Sequence, residues 1–306
     1  LLAEVRSFFS EAGVMEVETP ICSHFGVTDP AIESLRTRYN GPSAAHGVPL
    51  YLQTSPEFPM KRLLAAGSGP IYQICRVFRD GELGSRHSPE FTLLEWYRPG
   101  FDHQMLMDEV TGLVTRLLGD NRPEQRLSYA EAFDRFLGID PHSASRETLR
   151  QCAIHKGITG AQELELADRD GWLDLLLSHL IEPHLGQGRI TFLYDYPSSQ
   201  AALSRIRQGS PTVAQRFELY LEGMEIANGF HELADRVEQQ RRFEADIAKR
   251  QAQGLPPVAM DQHLLAALEA GLPDCAGVAL GIDRLIMVSA GQREINQVLS
   301  FPFAFC

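Results

Sequence analysis

Apolar positions follow two rhythms along the chain. Leu1, Leu2, Val5, Phe8 and Phe9 fall near helical spacing and predict a helix over 1–13, closed by Gly13. Residues 14–17 then read as a strand, stopped by Pro20. Tyr51-Leu52-Gln53-Thr54-Ser55-Pro56-Glu57 reads as a strand leading into a helix that runs from Met60 to Gly67. Leu106, Val110, Leu113, Val114 and Leu117 make the apolar stripe of a helix over 102–118. Further helices are expected at 129–138, 145–156, 168–184, 241–253 and 260–270, with strands at 190–194 and 214–226. Pro141, Pro183 and Gly186–Gly188 mark turns. No repeat or linker interrupts the pattern, so 1–306 reads as one domain, with 119–190 a helical elaboration inside it.

The most informative stretch is 72–98, YQICRVFRDGELGSRHSPEFTLLEWYR. Its ends, 71–78 and 91–97, are rich in β-branched and aromatic residues and predict an antiparallel hairpin. The long loop between them carries Arg79, Asp80, Gly81, Arg86, His87 and Ser88. Long loops inside compact domains are usually functional or disordered. A guanidinium such as that of Arg79 can clamp phosphate oxygens in two-pronged fashion. Glu95 and Tyr97, two apart, share a face and could cage an ammonium group. An ordinary amphipathic hairpin with a solvated turn fits this stretch as well.

Residues 216–232, RFELYLEGMEIANGFHE, place Glu218, Glu225 and Glu232 at intervals of seven. An odd spacing puts neighbours on opposite faces of an uninterrupted strand, so convergence needs a bulge or turn, for which Gly223 and Asn228-Gly229 are candidates. The alternatives are edge-strand charge in solvent, or carboxylates that meet magnesium and an ammonium group. Several acids around one pocket repel one another unless cations fill it. Ser55 and Glu57 flank Pro56, which also suits an ordinary first helical turn. Asp283 and Arg284 could likewise be an ion pair opening a helix.

Composition narrows the picture. Hydrophobic content of 44% with 22% charged residues is that of a soluble globular protein. A net charge of −12 argues against a generally basic nucleic-acid-binding surface. No apolar run approaches the roughly 20 residues a bilayer requires, and the charged first helix is not a signal peptide. The chain opens without an initiator Met, which leaves room for a short natural leader. Five cysteines, Cys22, Cys75, Cys152, Cys275 and Cys306, show no CxxC pair, favouring a reducing cytoplasm over a structural zinc site. His142, His155, His179 and His184 stand at no metal-ligand spacing.

The 72–98 stretch resembles motif 2 of class II aminoacyl-tRNA synthetases, with Arg79 and the Arg86-His87…Phe91 run in the motif's positions. Gly277-Val278-Ala279-Leu280-Gly281-Ile282-Asp283-Arg284 resembles motif 3, and Gly13-Val14-Met15-Glu16-Val17-Glu18-Thr19-Pro20 the end of motif 1. The resemblance covers almost the whole chain. It implies an α+β fold, the class II synthetase catalytic core, in which an antiparallel β-sheet is flanked by helices. It further implies a homodimer through the first helix and strand, and activation of an amino acid by ATP with Mg²⁺. Arg79 and Arg284 would be catalytic. ATP would meet Arg79, Asp80, Gly81, His87, Ser88, Phe91, Glu225, Ile226, Gly281 and Arg284, adenine lying between Phe91 and Arg284.

The TSPE run and the acidic strand are similar to those of lysyl-tRNA synthetases. By that likeness Ser55, Pro56 and Glu57 would hold a substrate amine, Glu95, Tyr97 and Glu232 the side-chain ammonium, and Asn228 the carboxylate. Phe230 and Ala279 would wall the pocket, and Glu218 and Glu225 would bind the metal. Motif 1 begins at residue 1, with no anticodon-binding domain ahead of it, so tRNA is not the expected partner. The layout resembles the freestanding lysyl-tRNA synthetase paralogues that modify elongation factor P with (R)-β-lysine. Ala279 supports this, because lysyl-tRNA synthetases carry glycine there. Two departures stand out: Gly81 occupies a position where motif 2 commonly has Glu, with Glu82 next as a stand-in, and Ser88 replaces a frequent Asn. The rival readings are a tRNA-charging enzyme, a ligase acting on a small amine, and a non-catalytic regulatory paralogue.

Overall fold

A computed structural model describes residues 1–42, 44 and 47–305. Cys306 lies outside them; Cys22, Cys75 and Cys152 are free thiols and Cys275 is buried. The chain forms two compact units, Leu1–Phe101 with Leu233–Cys306, and Asp102–Glu232.

The first unit opens with α1 (Leu2–Glu11), which buries Val5 and Phe9. The Phe9 ring stacks on Tyr72 at 4.5 Å and meets Trp96 edge-on at 5.3 Å. Such aromatic pairs are worth about 1 kcal/mol beyond the area they bury. Next, β1 (Met15–Glu16) runs parallel to Ile71 and Tyr72. Strands β2 (Cys22–Ser23), β3 (Arg36–Tyr39) and β4 (Val48–Leu52) make a small sheet in the order β2-β4-β3, and α2 (Glu57–Ala65) follows. The predicted hairpin forms from β5 (Ile71–Phe78) and β6 (Glu90–Pro99), in register from Ile71 opposite Tyr97 to Phe78 opposite Glu90.

In the second unit α3 (His103–Leu118) is fixed at both ends. The Asp102 carboxylate accepts from the Gln104 and Met105 N–H groups, and Gly119 closes the helix at φ 69°. β7 (Glu124–Ser128) leads into α4 (Tyr129–Leu137), which starts on a capping box of Ser128 and Glu131. α5 (Arg146–His155) and α6 (Arg169–Leu176) are capped by Ser145 and Asp168. The expected helix over 168–184 continues past α6 as a π-helical and then a 3₁₀ turn, where Pro183 has no N–H to give. Four strands follow: β8 (Ile190–Pro197), β9 (Ile206–Arg207), β10 (Val213–Leu221) and β11 (Met224–His231). Their sheet runs β11-β10-β8-β7, with β9 beside β10. Tyr129, Phe133, Trp172, Leu193, Tyr196 and Tyr220 form the buried core between helices and strands.

The chain then returns to the first unit. α7 (Arg236–Ala252) starts ahead of the predicted 241, because Asp235 accepts from the Val237 and Glu238 N–H groups. After α8 (Gln262–Gly271), β12 (Cys275–Gly281) pairs antiparallel with β6 and passes into α9 (Ile282–Ser289). This unit's sheet order is β1-β5-β6-β12. Both units thus set mainly antiparallel sheets against helices, the α+β class expected. No helix of the described residues is long and apolar enough to cross a membrane.

Candidate active site

Two groups of expected site residues form, one in each unit. In the first unit Glu95 is 2% exposed, and both its oxygens are held. The Tyr97 hydroxyl donates to Oε1 at 2.7 Å, and the Ser55 hydroxyl donates to Oε2 at 2.9 Å. The alternation of β6 puts Glu95 and Tyr97 on one face, as their spacing predicts. In the β12–β6 register Ala279 stands opposite Glu95, Gly277 opposite Tyr97 and Gly281 opposite Leu93. Small residues therefore line the lane beside the buried carboxylate. Burial, with Glu95 nearby, also pushes the Cys75 thiol up to about 12.

Pro56 is buried at the N-cap of α2, and the Glu57 N–H donates to Ser55 Oγ at 3.0 Å. Ser55 thus serves the helix start and Glu95 together. Glu57 is ion-paired 2.6 Å from the ammonium of Lys61, one turn along the helix and almost wholly buried.

Arg79 leaves β5 with its guanidinium 5.1 Å from the centroid of the Phe91 ring and 3.5 Å from the Glu82 carboxylate. Asp80 pairs through its backbone with Glu33. Gly81 adopts φ +80°, which L side chains rarely tolerate and which turns Glu82 back toward Arg79. Ser88 is buried. The Arg284 Nη2 donates to His87 Nε2 at 2.7 Å, and its Nε donates to the Arg86 carbonyl at 3.3 Å. A guanidinium only donates, so His87 accepts through Nε2 and carries its proton on Nδ1. Burial, then the Arg284 charge, lowers the His87 pKa. Asp283 does not wait for Arg284: it accepts from the Thr92 N–H at 2.6 Å, while burial raises its carboxyl.

In the second unit the acidic strand resolves into the β10–β11 hairpin. Gly223 makes the turn at φ +71°, as its position suggested. The interruption expected at Asn228-Gly229 is absent, since β11 runs through both; the register shift instead falls between Leu219 and Tyr220, skipping Ile226. The bulge brings Glu225 opposite Tyr220, while Glu218 stands opposite Asn228. Glu218 and Glu232 are 7% and 1% exposed, so neither is edge charge in solvent. Glu218 accepts from Arg216 Nη2 and from the Tyr220 hydroxyl, each at 2.5 Å. Burial keeps the Tyr220 phenol protonated far above its ordinary range. Phe230 stands opposite Arg216, and Glu232 pairs through its backbone with Ser204.

A cavity of about 380 Å³ in this unit is lined by Asp174, Glu182, Arg216, Glu218 and Glu225 among others. Two carboxylates on one wall suit an ion that keeps phosphate and water ligands. Among the described residues no three His, Cys, Asp or Glu side chains stand together as an all-protein metal site.

Sequence reasoning missed Lys61, Arg216, Tyr220, Asp174 and Glu182. Lys61 is four residues after Glu57, a helical ion-pair spacing open to inspection. Arg216 and Tyr220 flank Glu218 at strand spacing. Asp174 and Glu182 carry no comparable signal, because only the tertiary fold brings them to the cavity.

Comparison with known proteins shows the family. The family model for class II tRNA synthetases (D, K and N) matches residues 1–304. The elongation factor P–(R)-β-lysine ligases of Salmonella dublin and Salmonella heidelberg strain SL476 are each 51% identical over 301 residues, covering 98% of this chain and 92% of the relative. The corresponding ligase of Salmonella typhimurium strain LT2 matches to the same extent. With the motif 2 hairpin, the β12–α9 passage and this match running end to end, the chain belongs to the class II tRNA synthetase family, in its aspartyl, lysyl and asparaginyl group.

Proposed function

We propose that this chain is an ATP-dependent ligase that activates (R)-β-lysine, or lysine, and transfers it to a lysine ε-amino group of elongation factor P. The observation that carries this reading is the clamp on Glu95. A buried carboxylate held by two hydroxyls, with a methyl group across the strand, suits a long ammonium-bearing substrate.

In the first step a carboxylate oxygen of the amino acid attacks the α-phosphorus of ATP, and pyrophosphate leaves. Anion meets anion, so positioning and charge neutralisation dominate the barrier. Arg79 meets the α-phosphate and the incoming carboxylate. Asp80, Gly81, His87 and Ser88 shape the nucleotide loop, Phe91 and Arg284 take adenine, and Glu225, Ile226 and Gly281 complete the nucleotide contacts. Glu95, Tyr97 and Glu232 receive the side-chain ammonium. Ser55, Pro56 and Glu57 receive the second amine, with Lys61 sharing the Glu57 carboxylate. Asn228 meets the carboxylate, and Phe230 and Ala279 bound the pocket. Glu218 and Glu225 would hold magnesium, which would supply positive charge to the phosphates. In the second step the acceptor ε-amine attacks the carbonyl carbon of the adenylate, loses a proton, and AMP leaves. The enzyme works as a homodimer in the cytoplasm.

The test is ATP–pyrophosphate exchange with each lysine isomer, followed by mass analysis of elongation factor P. Exchange driven by (R)-β-lysine, with one β-lysyl group gained by the factor, is expected. Exchange with α-lysine alone, accompanied by charging of tRNA, would replace this reading.

A further inference from the structure

Arg216 joins residues that the functional reading treats separately. Its Nη2 donates to Glu218 Oε1 at 2.5 Å, its Nε to Asn228 Oδ1 at 3.3 Å, and its Nη1 to the Gln200 carbonyl at 3.1 Å. Its guanidinium also lies 4.4 Å from the centroid of the Tyr196 ring. The β10–β11 register sets Arg216 opposite Phe230 and Glu218 opposite Asn228, so the four side chains share one face of the sheet.

We propose that Arg216 is a positioning residue that fixes the Asn228 amide with Nδ2 outward, as a donor to the carboxylate of the amino-acid substrate. This rests on the reading that Asn228 meets that carboxylate. A guanidinium has donors and no acceptor, so only the amide oxygen can face it. With the oxygen held, the planar amide presents its NH₂ group on the other side. A flipped amide would aim an oxygen lone pair at an anion. Glu218 keeps its own second support from Tyr220, so its placement does not depend on Arg216 alone. Lysine cannot replace this arginine: one ammonium on a flexible stem does not reach Glu218, Asn228 and the Gln200 carbonyl with fixed directions.

The rival is a half-buried arginine that merely braces the hairpin. Titration calorimetry separates the two, using (R)-β-lysine and 1,4-diaminopentane, the diamine that lacks its carboxylate. Arg216→Lys is expected to weaken the amino acid about tenfold, the worth of one hydrogen bond to a charged group, and to leave the diamine unchanged. In the Asn228→Ala background the same change should add nothing further. Equal losses for both ligands, or additive losses in the double variant, would overturn the proposal. Should Arg216→Lys fail to fold, Asn228→Asp offers Arg216 an oxygen while removing the donor, and the amino acid alone should weaken. If that variant binds the amino acid undiminished, the outward donor is not used and the proposal falls. Wild-type protein that bound neither lysine isomer would instead sink the functional reading beneath it.

Discussion

Ala279 stands opposite Glu95 in the pairing of β12 with β6, its methyl group beside the carboxylate that Ser55 and Tyr97 hold. Gly277 and Gly281, at the alternate positions of the same strand, add no side chain to that lane. One methyl group in a pocket discriminates by about 1–3 kcal/mol. Ala279→Gly should therefore shift the ratio of kcat/KM for (R)-β-lysine over α-lysine toward the α isomer by about tenfold or more. Pyrophosphate exchange with the two isomers measures it, and an unchanged ratio would remove Ala279 from the specificity argument.

The two hydroxyls on Glu95 make a second prediction. Each donates to a buried anion, and a hydrogen bond to a charged group is worth about 1.5–3 kcal/mol. Ser55→Ala or Tyr97→Phe removes one of these two donors. KM for the amino acid should rise about tenfold while KM for ATP holds. A rise confined to ATP would place Glu95 in the nucleotide site instead.

Much of this was legible in the residues. The hairpin announced itself through β-branched and aromatic runs, and strand alternation put Glu95 beside Tyr97. The odd spacing of Glu218 and Glu225 demanded an irregularity, and one exists. Its place was not legible, because a bulge is chosen by how two strands pair, and here the pairing skips Ile226 rather than Gly229. The spacing of Arg216 from Glu218 was legible, but its link to Asn228 was hidden for the same reason, since it crosses strands. The Asp174 and Glu182 contributions depend on how helices settle on a sheet, which local propensity does not encode. The early start of α7 was different, since Asp235 is a plain capping signal.

His103 supplies a pH dependence. It is 2% exposed, and burial lowers its pKa to about 4 despite Asp195 and Asp102 nearby. The unfolded chain takes up this proton near pH 6.5, so between 6.5 and 4 the unfolded state binds more protons than the native one. Stability from this group is complete above 6.5 and declines as pH falls toward 4, by on the order of 3 kcal/mol in all. Urea unfolding at pH 7.5 and 5 should show wild type losing stability faster than His103→Gln. Parallel losses would assign the acid sensitivity to other groups.

Glu82 gives a test of the altered motif 2 loop. Gly81 takes the position where a glutamate is usual, and its left-handed turn brings Glu82 to 3.5 Å from Arg79. Both side chains are about a quarter exposed, so the pair contributes little to stability, roughly 0.2–1 kcal/mol. If Arg79 meets the α-phosphate as proposed, the weight of the pair falls on binding, because an incoming phosphate would displace that carboxylate from the guanidinium. Glu82→Gln should then lower KM for ATP about two- to fivefold, whereas a Glu82 that contacts adenine would raise it on substitution. Arg79→Ala should cut adenylation at saturating ATP by about 10²–10³, as loss of a preorganised donor does. Pre-steady-state adenylate formation in the two single variants resolves these effects. If Glu82→Gln weakens ATP while Arg79→Ala leaves adenylation intact, the guanidinium is not the group that meets the α-phosphate.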